Sequence, residues 1–317
     1  VLLVAAPAGA APTPATGPTS APTQPGKKSS FSIALGGTYK THGRSYVLPR
    51  SRVQVKGTTN ADLAGETVTI VITKKGRVAK TDRVKLVSHG GKATFSTAFS
   101  AGKRGKYVVK LDLTPEQADV ATASGGKGLT IVKTGIHSGS HGISVKVYQN
   151  KLGSLGYVVP HNGKFDSATG RAFMAFRKVT GMSRTFSAGK AVASKLAKGK
   201  GAFHLRYPKA GRHVEVSIKK QVMVFSDNGK VQRIYHVSTG KPSTPTVRGT
   251  FHVYMKDPGT NAKGMVKSNY FTGGYAIHGY AEVPPYNASH GCVRVPVPNA
   301  ASIYGWVNIG TRVDVYY

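Results

Sequence analysis

Cys292 is the only cysteine among 317 residues, and it sits in Ser289-His290-Gly291-Cys292-Val293-Arg294-Val295 near the C-terminus. A solitary thiol cannot close an intramolecular disulfide, so it is buried filler, a link between chains or a nucleophile. Its neighbours favour the nucleophile. His290 lies two residues before it, and Gly291 lets the backbone come close to a substrate. A second histidine, His278, stands upstream in Tyr275-Ala276-Ile277-His278-Gly279, which reads as a strand running into a loop. An imidazole within hydrogen-bond reach is the usual means of generating the reactive thiolate. The backbone N–H groups of Gly291 and Cys292 suit an oxyanion, because a glycine adds no bulk there.

These residues resemble the L,D-transpeptidase catalytic domain, also called the YkuD domain. The shared pattern is a His-Gly, a variable loop, then Ser/Thr-His-Gly-Cys followed by an apolar residue and Arg or Asn. Here it is His278-Gly279, a loop rich in Pro and Tyr, then Ser289 through Arg294. Upstream, Ser238-Thr239-Gly240, Thr244-Pro245 and Gly249-Thr250-Phe251 follow the order of that domain's strands. The resemblance spans roughly residues 213 to 317. The loop between the histidine and the Ser-His-Gly-Cys is on the short side, which bears on substrate range and not on reaction class.

The resemblance implies acyl transfer through a thioester. Cys292 attacks a peptide carbonyl, and His278 takes the thiol proton and returns it to the leaving amine. The Gly279 carbonyl orients the imidazole. The implied substrate is a peptidoglycan tetrapeptide stem, cut at its L→D bond. The acyl group passes to an amine on a neighbouring stem as a 3→3 cross-link, or to water, which would make the enzyme an L,D-carboxypeptidase. Carbapenem-type β-lactams would acylate the same thiol. No metal and no cofactor is needed. His290 shapes the pocket or serves as the base. Ser289 hydrogen-bonds within the motif. Arg294 holds a substrate carboxylate bidentately or pairs within the domain. Tyr270 and Tyr286 are candidates for the pocket wall, with core packing as the alternative.

The elements that must position this chemistry occupy only part of the chain. With 45 Lys+Arg against 12 Asp+Glu, the net charge is +33, which implies an acidic partner or surroundings. From His278 onward the charges nearly balance, and no nucleic-acid-binding motif occurs, so anionic wall polymers fit the charge better than nucleic acid. Residues 1–11 have an apolar run and an Ala-x-Ala step and read as the remnant of a secretory signal, too short for a membrane span. Export to the cell wall or the extracellular side of the membrane follows, and a single thiol suits that compartment. Residues 12–30, rich in Pro, Thr, Ser, Ala and Gly, read as a disordered linker.

From 31 to 134 the pattern has period two. Val53 and Val55, then Val68, Ile70 and Ile72, then Phe95, Thr97 and Phe99, and then Tyr107, Val109 and Leu111 alternate with polar residues. Lys75-Gly76 offers a hairpin turn. The reading is an antiparallel, Ig-like β-sandwich that is a spacer or a wall-binding domain. Residues 135–142 read as a second linker, whose His137 and His141 have metal-compatible spacing but no third ligand nearby. Its Ser140-His141-Gly142 repeats the active-site tripeptide without the cysteine.

Helical periodicity fills 143–200. One helix has Ser144 as N-cap, a second starts at Asp166-Ser167, and a third runs from Ser187 to Gly199, giving a small three-helix bundle. The order Gln149, Leu152, Leu155-Gly156-Tyr157, Gly163, Phe165-Asp166, Thr169, Ala172, Phe176 resembles a PGB_1-type peptidoglycan-binding domain, with Arg177 where that family often has a second Gln. Residues 201–317 are read as the catalytic domain, in which period two returns from Arg212, with Asp227-Asn228-Gly229-Lys230 as a hairpin turn, a short helix over Pro298–Trp306 and a closing strand over Thr311–Tyr316. His213, His236 and His252 are given no role. The architecture is therefore multidomain and mainly β, and a monomer is expected. Two readings of other classes compete: a wall-binding protein whose catalytic module is inactive, and a metal-dependent amidase, for which no His-Glu-x-x-His or similar ligand set exists.

Overall fold

The computed structural model describes Val1, residues 29–114, Gln117, residues 121–123 and residues 125–317. The signal-like stretch 1–11, Val1 apart, and the linker as far as residue 28 lie outside them. The fold is mainly β, with four helices and several sheets among the described residues.

The N-terminal strands are β1 (Ser29–Gly36), β2 (Tyr39–Thr41), β3 (Arg44–Val47), β4 (Arg52–Asn60), β5 (Thr67–Lys74), β6 (Arg77–Lys85), β7 (Val87–His89), β8 (Lys92–Ser100), β9 (Gly105–Asp112), β10 (Ala121–Ala123) and β11 (Lys127–Ile131). They form two sheets, in the orders β10-β1-β4-β8-β7 and β2-β3-β11-β9-β5-β6. Strand β4 alternates strictly, with Val53 and Val55 buried and Arg52, Gln54 and Lys56 in water, as expected of a sheet with one wet face. One apolar cluster, including Phe31, Val53, Ile70, Phe95 and Val109, draws on both sheets. The β5–β6 hairpin turns on Lys75 (φ 50°) and Gly76 (φ 77°), a pair of left-handed residues whose twist suits a two-residue hairpin.

Three helices follow: α1 (Ile143–Gly153), α2 (Ser167–Val179) and α3 (Lys190–Ala197). Asp166 caps α2 by accepting the Thr169 N–H at 2.8 Å. Helix α1 begins one residue before Ser144, on Gly142 (φ 91°), whose N–H donates to Gly163 O at 2.8 Å. Helix α3 starts at Lys190 and not at Ser187, because Ala188 is held extended by two reciprocal 3.1 Å hydrogen bonds with Ile136. The segment 135–142 is thus tied to the helices at Ile136–Ala188 and again at His141–Lys164. Gln149 is buried, with Oε1 accepting the Gly163 N–H at 2.8 Å and Nε2 donating to Lys164 O at 3.0 Å. Arg177 is likewise internal, donating to Ser187 O and Ser183 O at 2.9 and 3.0 Å.

The remaining strands are β12 (His213–Ser217), β13 (Val222–Asp227), β14 (Lys230–His236), β15 (Gly249–His252), β16 (Met255–Thr260), β17 (Val266–Thr272), β18 (Tyr275–Tyr280), β19 (Val293–Pro296) and β20 (Arg312–Tyr316). Helix α4 (Val297–Trp306) lies between the last two. The strands make a five-stranded sheet, β14-β13-β12-β20-β15, and a four-stranded sheet, β16-β17-β18-β19. Asn228 (φ 46°) and Gly229 (φ 72°) turn β13 into β14. Strand β13 is buried on both faces. Met223 and Phe225 join the core between the two sheets, while Val222 and Val224 join the helices in a second cluster with Phe173, Phe176 and Ile234. The edge of β14 is covered as well, since Ile234 exchanges hydrogen bonds with Gly156 O and Val158 N at 2.8 and 3.3 Å. Among the described residues no helix is long and apolar enough to cross a membrane.

Candidate active site

Strands β18 and β19 run parallel, with His278 opposite Arg294 and Ile277 opposite Val293. Register therefore sets the histidine beside the segment that carries the cysteine. Cys292 is half-buried, and both it and His278 line one cavity of about 410 Å³. The same cavity is lined by Ser289, His290 and Arg294.

The imidazole of His278 is buried, and its Nδ1 lies 2.9 Å from the Gly279 carbonyl. A carbonyl can only accept, so Nδ1 carries the proton and Nε2 keeps its lone pair. Burial lowers the His278 pKa, the Gly279 bond partly restores it and the Arg294 charge lowers it further. Burial raises the Cys292 pKa, while the Ala276 backbone and the charges of Arg294 and Lys263 pull it back. Sγ itself donates to Gly274 O at 3.6 Å. Both burial effects favour a neutral thiol beside a neutral imidazole.

The Ser289–Cys292 loop is held by the segment after β14. Ser238 and Arg294 exchange backbone bonds at 2.9 and 3.0 Å. Thr239 O accepts from Ala288 N and Ser289 N at 2.9 and 3.0 Å, and Lys241 N donates to Ser289 O at 2.9 Å. Thr246 Oγ1 donates to Gly291 O at 2.6 Å and accepts the Gly240 N–H at 2.8 Å. A Cβ on Gly240 would lie 2.2 Å from Thr244 O, so this crossing admits only glycine. The Ser-Thr-Gly and Thr-Pro segments are therefore the cradle of the Ser-His-Gly-Cys loop.

Inside the loop, Ser289 Oγ donates to Cys292 O at 2.6 Å and accepts the Gly291 N–H at 3.1 Å. That N–H, expected to face the substrate, is engaged within the motif in this state. The Cys292 N–H makes no hydrogen bond among the described residues. Gly291 has φ 117°, and a Cβ there would sit 2.5 Å from Cε1 of Tyr275, so backbone conformation and close contact both require glycine. Gly279 is pressed from behind, where a Cβ would meet Ala300 at 2.8 Å. His290 is exposed at the cavity. The Arg294 guanidinium lies 4.0 Å over the Tyr280 ring and forms no ion pair among the described residues.

Tyr270 and Tyr286 do not line the cavity. Tyr270 accepts from Asn261 Nδ2 at 3.3 Å, and the Tyr286 side chain is largely in water. Sequence reading missed Tyr280, Lys263, Met265 and Gly274, which do line it. Tyr280 was findable, since it shares a face of β18 with His278 two residues earlier. The β16–β17 turn that supplies Lys263 carries no motif. Tyr280 also borders a second cavity of about 540 Å³, between α2 and the Ala281–Val283 segment, where Arg171 of α2 and Phe186 of the loop after it line the facing wall. Among the described residues no group of His, Cys, Asp or Glu could hold a metal ion.

The sequence profile of the L,D-transpeptidase catalytic domain matches residues 211–315. The crystal structure of an L,D-transpeptidase from Xylanimonas cellulosilytica is 34% identical, with a TM-score of 0.54, and the likeness covers 58% of this chain and 98% of that one. L,D-transpeptidase 1 of two Mycobacterium tuberculosis strains is 29% identical over 125 residues, which is 31% of this chain and 48% of theirs. The chain thus spans about half the length of the curated relatives it matches. This protein belongs to the L,D-transpeptidase family.

Proposed function

We propose that this protein is an exported enzyme that cross-links peptidoglycan stem peptides through a Cys292 thioester. The observation that carries the reading is the 2.9 Å approach of His278 Nδ1 to Gly279 O: the carbonyl accepts only, so the proton on Nδ1 leaves a basic Nε2 at the cavity that also holds the sulfur. Nε2 takes the thiol proton as Sγ attacks the carbonyl of the L→D bond. The Cys292 N–H holds the oxyanion, and the Gly291 N–H joins it if Ser289 turns away. The C–N bond breaks, and His278 returns the proton to the departing D-amino acid. An amine of a second stem then attacks the thioester, giving up its proton to Nε2, and the sulfur leaves as the thiol. Arg294, with no carboxylate partner among the described residues, is available for a substrate carboxylate. Water in place of the amine gives L,D-carboxypeptidase activity at the same site.

The domain reading accompanies this proposal. Residues 31–134 are an Ig-like sandwich that serves as a spacer or wall contact. Residues 143–200 are a peptidoglycan-binding bundle, and the cavity beside Phe186 is its contact with the glycan. Residues 201–317 carry the chemistry. Intact-mass spectrometry after incubation with a carbapenem tests the chemistry. One added molecule is expected on the wild type and none on Cys292→Ala. An unmodified wild type would return the protein to the class of inactive wall binders.

A further inference from the structure

A third cavity, of about 430 Å³, lies where the N-terminal sheets meet helix α3. Its walls carry Arg50, Lys103, Arg104, Lys133 and Lys190. No carboxylate lines it among the described residues, and none of the five cations takes part in an ion pair there. Five like charges around one concavity focus a positive potential that nothing on its walls offsets.

The cleft is built and not a loose hinge. Its floor includes buried Val132 and Ala193, and Leu48, Val132 and Ile136 pack into the same apolar cluster as the helices. Tyr148 Oη donates to Thr134 O at 2.6 Å across the same junction. Arg50 stands in the left-handed region at φ 67°, a position that costs a non-glycine residue free energy, and its N–H is held by Ala101 O at 2.8 Å. The loop bearing Lys103 and Arg104 is fixed at both carbonyls, by Tyr107 Oη at 2.6 Å and Lys74 Nζ at 3.0 Å. These backbone ties fix the segments that carry Arg50, Lys103, Arg104 and Lys133 at the rim of one cleft.

We infer that this cleft binds a polyanionic wall polymer whose backbone repeats phosphodiesters. A stem-peptide carboxylate would engage one or two of the cations and leave the others unanswered. Two guanidinium forks and three ammonium groups suit several phosphates at once. The lining has no aromatic side chain, so it lacks the stacking surface on which nucleic-acid bases are held. The site is separate from the cysteine cavity and shares none of its residues. It therefore tethers the enzyme and takes no part in acyl transfer. It rests on the proposed export only for the source of the polymer.

The test uses the full chain and inorganic polyphosphate as the probe, with affinity followed against salt. A salt slope of about −3 to −4 is expected for some five engaged charges on a flexible polyanion. The triple variant Lys103→Gln, Arg104→Gln, Lys133→Gln is expected to bind at least tenfold more weakly, with a slope shallower by about two. A control triple on exposed β6, Lys80→Gln, Arg83→Gln, Lys85→Gln, removes the same charge and is expected to stay within twofold of the wild type. Carbapenem acylation of Cys292 should match the wild type in both triples, which reports their folding and stands apart from polymer binding. Equal weakening by the two triples would reduce the effect to net charge and overturn the proposal. So would the absence of binding at low salt, or tighter binding of single-stranded DNA with the same number of phosphates.

Discussion

Replacing Lys178 by methionine is expected to cost about 2–4 kcal/mol of stability, because of what its ammonium touches. Lys178 lies on α2 and is buried. Its Nζ donates to Gln221 O at 3.0 Å and to Val237 O at 2.8 Å, and lies 2.7 Å from Nδ1 of His236. Nε2 of His236 lies 2.9 Å from Val283 O. That carbonyl only accepts, so a neutral His236 carries its proton on Nε2 and presents a lone pair to the lysine. Burial first, and then the Arg184 charge, lower the Lys178 pKa well below the usual lysine value, and in the protonated form three acceptors face its three ammonium protons. Methionine fills similar volume without a donor. Gln221 O keeps the Val237 N–H at 3.2 Å, but Val237 O and Nδ1 lose their donor. Two orphaned acceptors cost about 2–6 kcal/mol, and the relief of no longer desolvating a charge brings the net to the lower range. The single tryptophan, Trp306, stacks on Phe225 at 4.2 Å, so its fluorescence follows this unit in urea and on heating. The thermal midpoint should fall by roughly 5–15 °C. A variant within about 0.5 kcal/mol of the wild type, or more stable, would show that desolvation of the lysine outweighs its bonds, and would refute the reasoning.

The same network predicts a pH effect. Burial first, and then the Lys178 charge, hold the His236 pKa at about 3 against 6.5 in the unfolded chain. The unfolded state therefore binds the extra proton first as pH falls. Stability is fully present above pH 6.5 and declines towards pH 3, by at most about 1.4 kcal/mol per unit from this group. Urea midpoints that stay level between pH 6 and 4 would contradict this. At the cavity, the lowered His278 pKa places the acid limb of carbapenem acylation below the ordinary imidazole value of 6.5. A stopped-flow profile with its midpoint above that value would remove His278 as the base. Gly291→Ala should abolish acylation and cost about 1–3 kcal/mol, since the new methyl meets Tyr275 in a left-handed backbone. Mass spectrometry at the wild-type rate of labelling would show that the contact is not required. Arg294→Gln should raise KM for a tetrapeptide stem by about tenfold or more through loss of a charged hydrogen bond. An unchanged KM would assign Arg294 to the Tyr280 ring alone.

Much of the architecture could be read from local pattern. Alternation in β4 and the Asn228-Gly229 turn follow from pleat and backbone sterics, which need only neighbours in sequence. The motif pair His278-Gly279 and Ser289 to Arg294 lands on one cavity because parallel register joins β18 to β19. Lys178 was invisible. On a helix it looks like any solvated cation, and only docking of α2 against the β13–β14 sheet buries it. His236 passed as an ordinary strand residue for the same reason. The start of α1 and the start of α3 depend on bridges to distant segments, Gly142 to Gly163 and Ala188 to Ile136, which propensity does not see. A clue to the docking did exist in Val222-Met223-Val224-Phe225, a run without polar interruption. Such a run belongs to a strand with no wet face.

That run has a practical outcome. Shortening the protein to begin at residue 201 would strip the helices from Val222, Val224 and Ile234 and leave the edge of β14 bare. The truncated enzyme would carry a greasy wall beside unpaired backbone, the combination that drives chains to stick to one another. In this protein the helices are upholstery for the five-stranded sheet, covering an apolar face and a strand edge that would otherwise meet water.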